Sequence, residues 1–328
     1  MKLSLNRFLK SQLFGITIAF LILCGLIGIV ESLIKTQPVF FKSVNLLNIL
    51  LQTSINTIIA VGMTFIILTG GIDLSAGSLL ALCNVLIGLV MLNLSTTGSF
   101  FQILAGAMVA LFVGAMVGFM NGSISVRWRI PSFIVTIGTL GVARGLGLWI
   151  IRSQTENLIG RVTPAFSFIG NGTIQGIPFP AIIALIMVLA GHILLNYTVL
   201  GRYILAIGGN EEATRLSGIR VGRYKIMVFV LGGLLVGLAA LIQTSRLGAA
   251  NPTIGAGFEL YAIAAVIIGG TSLMGGQGTI LGTLIGALII GVLNNGLTLM
   301  NIPDEIKQII IGLVIILAVM IDKMRGKK

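Results

Sequence analysis

The chain has 328 residues, of which 56% are hydrophobic and only 9% are charged, and its formal net charge is +12. Soluble domains carry about 25% charged residues, so this balance excludes a soluble enzyme and points to an all-α, polytopic membrane protein. The positive charge does not call for nucleic acid, because Lys and Arg collect in the cytoplasmic loops of membrane proteins.

A helical span needs about 20 apolar residues, and with short loops the length allows about ten spans. Lys2, Arg7 and Lys10 precede an apolar run over 13–34. The run is too long for a signal peptide and lacks a small-residue cleavage site, so it reads as an uncleaved first span. Residues 46–69, 74–94 and 100–120 give the next three spans. A basic turn, Arg127-Trp128-Arg129, follows, and Pro131 opens the fifth span, which contains Arg144 and runs to about 151. Proline suits a first helical turn, where its missing N–H is not needed.

Residues 152–178 form the longest loop, rich in Gly, Asn and Thr, before a sixth span over 180–197. A polar stretch over about 198–225 leads to the seventh span, 226–244, and then to a loop holding Arg246, Asn251, Pro252 and Glu259. The apolar run 261–268 is too short to cross a bilayer, so it begins inside the preceding loop or belongs to a discontinuous helix. Spans over 279–299 and 305–321 complete the chain, which forms one transmembrane domain over 1–328. Cys24 and Cys83 lie in apolar spans and suggest neither a disulfide framework nor a metal site.

The charges orient these spans. With the N-terminus inside, one side collects fourteen Lys and Arg and the other six, with Arg144 in between, so the richer side is expected to be cytoplasmic. An even number of spans then puts both termini in the cytoplasm. The polar stretch falls on the same side. Within it, Asn210 is a good helix N-cap, Glu211 and Glu212 suit the positive end of a helix dipole, and Gly218 suits a helix close. A short, capped, charged helix between apolar spans either faces water as a plain loop or meets another protein.

A weak repeat links two breaks. Gly70-Gly71-Ile72-Asp73-Leu74-Ser75-Ala76-Gly77 and Gly269-Gly270-Thr271-Ser272-Leu273-Met274-Gly275-Gly276 share the pattern Gly-Gly-x-x-Leu-x-x-Gly. Both fall where a span reaches the inner side, so the halves read as parallel repeats. Paired glycine interruptions mark transport paths in many carriers, although two glycine turns in a glycine-rich chain would look the same. Asp73 is an ionisable group beside the membrane, and it or Ser75 can also cap the third span. Asn294 and Asn295 either bond between helices or line an aqueous route. The lone His192 reads as a packed or interfacial residue rather than a proton relay.

No Gly-x-x-x-x-Gly-Lys-Ser/Thr phosphate loop occurs, so no ATP hydrolysis is expected of this chain. No nucleophile–base pair or string of intramembrane carboxylates stands out either, which argues against a membrane enzyme or an ion-coupled pump.

Glu212-Ala213-Thr214, three residues and then Gly218 resemble the EAA–x3–Gly loop of ABC importer permeases. The stretch from Val61 to Ser78, Gly208 to Gly218, Tyr261 to Ser272, and Asn294-Asn295-Gly296-Leu297 together resemble monosaccharide importer permeases, most closely the ribose type. The resemblance implies a permease in a bacterial inner membrane, paired with a second copy and with two cytoplasmic ATPase subunits. The ATPases would hold ATP and Mg, with no cofactor on this chain, and a sugar-binding protein would deliver the substrate.

Carried over by residue, Asn210, Glu211, Glu212, Ala213, Arg215 and Gly218 would dock on the ATPase. Gly70, Gly71, Asp73, Ser75 and Gly77, with Thr271, Ser272, Asn294 and Asn295, would shape the path. Arg246, Asn251 and Glu259 would face the binding protein. Gln277-Gly278-Thr279 and Tyr261 depart from the ribose-type pattern, which leaves the permease reading intact and the sugar open. The alternatives are a branched-chain amino acid permease of the same superfamily and an ATP-independent carrier or channel.

Overall fold

The computed structural model describes residues 12–94 and 98–325. Lys2, Arg7, Lys10, Lys327 and Lys328, which contribute to the charge asymmetry, lie outside the described residues. In chain order the helices are α1 (Gln12–Ile34), α2 (Ser43–Leu68), α3 (Ala76–Asn93), α4 (Ser99–Trp128), α5 (Ser132–Ile150), α6 (Pro164–Asn171), α7 (Phe179–Tyr197), α8 (Val199–Gly209), α9 (Glu211–Leu216), α10 (Val221–Leu247), α11 (Phe258–Ile268), α12 (Ile280–Leu299) and α13 (Asp304–Arg325). Two small ladders accompany them. Strand β1 (Glu156–Asn157) pairs antiparallel with β4 (Ala249–Ala250), and β2 (Thr173–Ile174) pairs with β3 (Ile177–Pro178) across a two-residue turn. Gln175 and Gly176 both have positive φ in that turn, as a tight hairpin requires.

Among the described residues, eight helices are long and apolar enough to cross a membrane: α1 to α5, α7, α10 and α12. This is two fewer than the ten spans expected. Helix α11 has only 11 residues, and α13, though 22 residues long, opens with Asp304, Glu305 and Lys307. At 1.5 Å per residue, α11 rises roughly 16 Å, about half of a bilayer core.

Helix α2 is the central post. From Thr53 to Leu68 every residue is buried, as fits a helix surrounded on all sides. Around it, α3, α10 and α11 build the main core through Ile58, Met63, Leu79, Cys83, Ala240 and Val266. Helices α4 and α10 pack backbone to backbone: a Cβ built on Gly114 would overlap the Gly233 carbonyl, and one on Gly118 that of Phe229. Such small-residue contacts replace the hydrophobic drive that lipid does not supply. The outer helices leave Leu21, Phe112, Trp149, Ile193 and Leu317 exposed, which suits a lipid-facing girdle.

The long loop is more ordered than its composition suggested. Helix α6 lies within it and docks on the end of α10, where Ser245 Oγ donates to the Phe166 carbonyl (2.6 Å) and accepts from Gly170 N–H (2.8 Å). Helix α4 also runs eight residues past the expected span, taking in Arg127 and Trp128 before Arg129 stops it in the left-handed conformation.

Candidate coupling surface and substrate path

Helix α9 has the start and stop read from its sequence. Asn210 is extended (φ −158°, ψ 100°), ends α8 and starts α9 with no residue between them. Its side-chain oxygen accepts from Ala213 N–H (2.9 Å), and its carbonyl accepts from both Thr214 N–H (3.0 Å) and Thr214 Oγ1 (2.7 Å). Gly218 closes the helix at φ +83°. Glu212 receives Arg215 Nε at 3.0 Å, and Lys225 reaches Glu211. The Arg215 hydrogen bond holds the Glu212 carboxyl below the usual carboxylate range and raises the guanidinium.

Glu211, Glu212, Ala213 and Arg215 are all exposed, and so is Leu216, at 74%. The acidic α9 borders a cleft of about 1030 Å³. Its other walls are the α4–α5 turn with Arg129, Pro131 and Ser132, the start of α10 with Arg220, Arg223 and Lys225, and the first break at Thr69, Gly70 and Gly71. The sequence reading missed Leu216 and this convergence of basic residues. They lie on separate stretches, and only the fold joins them.

Both breaks are the same helix-ending motif. At the end of α2, Gly70 has φ +76°, Gly70 N–H bonds to the Ile67 carbonyl and Gly71 N–H to that of Ile66. At the end of α11, Gly270 has φ +86°, Gly270 N–H bonds to Ile267 and Thr271 N–H to Val266. This is the Schellman pattern, in which a left-handed residue returns two N–H groups to the last turn. It pairs Gly70 with Gly270, one residue out of register with the sequence pattern, which paired Gly70 with Gly269. The glycine pair alone does not fix which member turns left-handed.

After the first break the backbone is irregular, and α5 supplies partners for it. Ile72 N–H donates to Ser132 Oγ (3.0 Å) and Leu74 N–H to Thr136 Oγ1 (3.1 Å). Buried Asp73 accepts from Ser75 N–H (2.8 Å) and Ser75 Oγ (2.6 Å). The chain of bonds continues through Asn121, which donates to Ser75 Oγ, to Thr139 on α5. Neither capping candidate bonds a first-turn N–H of α3: Ser75 holds the N-cap position without a side-chain cap bond, and Asp73 holds Ser75. At the second break, Ser272 N–H bonds to the Gln277 carbonyl (2.9 Å), while buried Thr271 faces Gly278.

The short apolar run proves to be the helical half of a discontinuous stretch. After α10 the chain turns back along α3, from Ala250 against Gly88 to Gly255 against Gly77, before α11 begins. Asn84 holds it by accepting from Asn251 N–H (2.6 Å), and Arg144 by donating to the Pro252 (2.6 Å) and Ile254 (2.9 Å) carbonyls. Irregular backbone at membrane depth survives only where protein satisfies it.

Residues 45–319 match the family described as "Branched-chain amino acid transport system / permease component". The chain belongs to this family. It is 47% identical over 298 residues to the ribose import permease protein RbsC of Escherichia coli K12, covering 90% of each chain. It is 44% identical over 330 residues to RbsC of Haemophilus influenzae, covering 99% of this chain and 96% of that one. The galactose/methyl galactoside import permease protein MglC of E. coli is 33% identical over 321 residues, covering 95% and 94%. No solved structure matches the chain.

In this permease the remaining candidate residues fall into separate places. Asn295 exchanges two hydrogen bonds of 3.0 Å with Asn45 at the start of α2. Asn45 precedes Leu68 by 23 positions on α2, which puts the pair roughly 35 Å from the first break. The neighbouring Asn294 is half-buried and its carbonyl accepts from Thr298 Oγ1. Arg246 sits in the last turn of α10, and Asn251 on the descending segment, where its side chain accepts from Thr253. Glu259 lies deeper, in the first turn of α11, with its carboxylate beside Gly77. Arg144 carried no role in the sequence reading. Its position on an apolar helix was the signal, because a charge there needs a named partner.

Proposed function

We propose that this permease is the membrane-spanning subunit of an ATP-driven importer for ribose or a related monosaccharide. The observation that carries the reading is α9: a capped helix with exposed carboxylates, set beside a basic cleft at one end of an apolar bundle. A surface of mixed charge with an exposed Leu216 suits a protein partner. That partner is a cytoplasmic ATPase that binds ATP and Mg, and Asn210, Glu211, Glu212, Ala213, Arg215 and Gly218 form the docking element. The sugar names of relatives at 33–47% identity favour a sugar over a branched-chain amino acid.

The finer assignments belong to the same proposal. Helices α11 and α13 complete a ten-span plan with both termini in the cytoplasm of a bacterial inner-membrane protein. Two copies pair across the exposed apolar faces. Gly70, Gly71, Asp73, Ser75, Gly77, Thr271 and Ser272 shape the inner end of the path, with Asn294 and Asn295 at its far end. Arg246 and Asn251 meet an extracytoplasmic sugar-binding protein, while Glu259, expected to join them, lies deeper, beside Gly77.

The test compares wild type with the Glu211→Lys, Glu212→Lys double variant in native membranes. Wild type is expected to co-purify with a phosphate-loop ATPase whose hydrolysis rises with ribose-loaded binding protein, and the variant to insert but lose both. Full sugar uptake by the double variant would overturn the docking assignment. Absence of any ATPase from gently extracted wild type would overturn the importer reading.

A further inference from the structure

Gly208 meets the two breaks at a single point. A Cβ built on Gly208 would overlap both the Leu68 carbonyl oxygen and Gly276 N. Gly276 N–H donates to that same Leu68 carbonyl at 3.0 Å. A Cβ on Gly275 would lie 3.0 Å from Gly208 Cα, 3.0 Å from Leu68 O and 3.1 Å from Gly70 N. Gly275 and Gly276 have φ of +87° and +74°, so their backbone is available to glycine at little cost. Three segments distant in sequence thus touch through main-chain atoms, with no side chain between them: the end of α8, the end of α2 and the turn joining α11 to α12.

The geometry leaves little slack. Asn210 serves both α8 and α9, so α9 starts where the joint ends. At its other end α8 is fixed as well, because a Cβ on Gly201 would overlap the Leu195 carbonyl. Leu68 leads directly into the first break and Gly276 belongs to the second. Close-packed backbone contacts switch between discrete arrangements rather than deforming smoothly.

We propose that Gly208, Leu68 and Gly276 form a rigid backbone joint that passes displacement of α9 into both helix breaks at once, making Gly208 and Gly276 positioning residues for coupling rather than for ATPase binding. The proposal rests on the reading of α9 as the ATPase-docking helix, and its test separates the two. Gly209 supplies the control, because a Cβ there meets nothing within 4 Å.

The experiment reconstitutes the full transporter, with ribose as probe, in four forms: wild type, Gly208→Ala, Gly209→Ala, and an insertion of two glycines between Gly209 and Asn210. The insertion leaves the contacts of Gly208 and the cap of α9 in place, so it reports on slack even where Gly208→Ala fails to fold. Three quantities are read: ATPase co-purification, ATP turnover, and ribose moved per ATP. Gly208→Ala and the insertion are expected to keep the ATPase and hydrolyse ATP within about twofold of wild type, while ribose per ATP falls at least tenfold. Gly209→Ala should match wild type in all three. Wild-type coupling in the insertion variant would overturn the joint, as would an equal loss in Gly209→Ala. Loss of the ATPase from wild type would instead strike the docking reading.

Discussion

Removing the side-chain cap of α9 is a graded test of the docking helix. An isolated helix of six residues is not stable in water, so α9 depends on its ends and its anchors. In Asn210→Ala the bond from Ala213 N–H to Asn210 Oδ1 is lost, while the two bonds from Thr214 to the Asn210 carbonyl remain. The lost bond is exposed, so water replaces part of it. Cap removals typically cost about 1 kcal/mol, or roughly a fivefold change in the population of formed helix.

If the ATPase binds only the formed helix, its affinity should fall about two- to fivefold in Asn210→Ala. Asn210→Asp and Asn210→Ser retain a capping oxygen and should stay within about twofold of wild type, with Asn210→Gly between them and alanine. The assay titrates ATPase onto the solubilised permease and reads the midpoint of binding. A result in which Asp or Ser binds as weakly as Ala would refute the capping argument, because only the lost acceptor separates these variants.

Two further outcomes follow from groups inside the bundle. In Arg144→Met the Pro252 and Ile254 carbonyls lose a charged donor, at a cost of at least about 2 kcal/mol. The detergent-solubilised variant should melt several degrees lower, with Arg144→Lys in between, and an unchanged melting temperature would show that the clamp holds nothing. Asn295→Leu should destabilise by about 1–3 kcal/mol by stranding the Asn45 amide, whereas Asn45→Leu with Asn295→Leu should recover part of that loss. Strictly additive losses would mean that the two amides do not depend on each other.

Much of the architecture was legible because the bilayer imposes a simple rule: a span is a long apolar run. The helices covering 43–68, 132–150, 179–197 and 280–299 lie within a few residues of the expected spans. Helix α9 was legible to the residue, since Asn210, Glu211, Glu212 and Gly218 are each local signals. The misreadings came where tertiary contact decides. Residues 164–171 were passed over because the loop is rich in Gly, Asn and Thr, and the helix is anchored by Ser245, which donates to the Phe166 carbonyl from 79 positions away. The one-residue offset between the breaks depends on which glycine turns left-handed, the first of its pair at Gly70 and the second at Gly270. The basic cleft draws on the α4–α5 turn and the start of α10, some 90 positions apart in sequence.

The location of the irregular backbone bears on where motion is cheapest. Each non-helical stretch inside the bundle must have its polar groups satisfied by protein, because the bilayer core offers no water. Residues 70–75 lean on Ser132 and Thr136 of α5, and the descending segment leans on Asn84 and Arg144. Both sets of partners therefore include α5. A shift of α5 against α3 would strain the two stretches together, whereas a shift that carries α3, α5, the first break and the descending segment as a unit would break none of these bonds. The alternation between outward and inward openings is thus expected to move α3 and α5 with the breaks, while the hydrogen bond from Gly276 N–H to the Leu68 carbonyl keeps the two breaks in step.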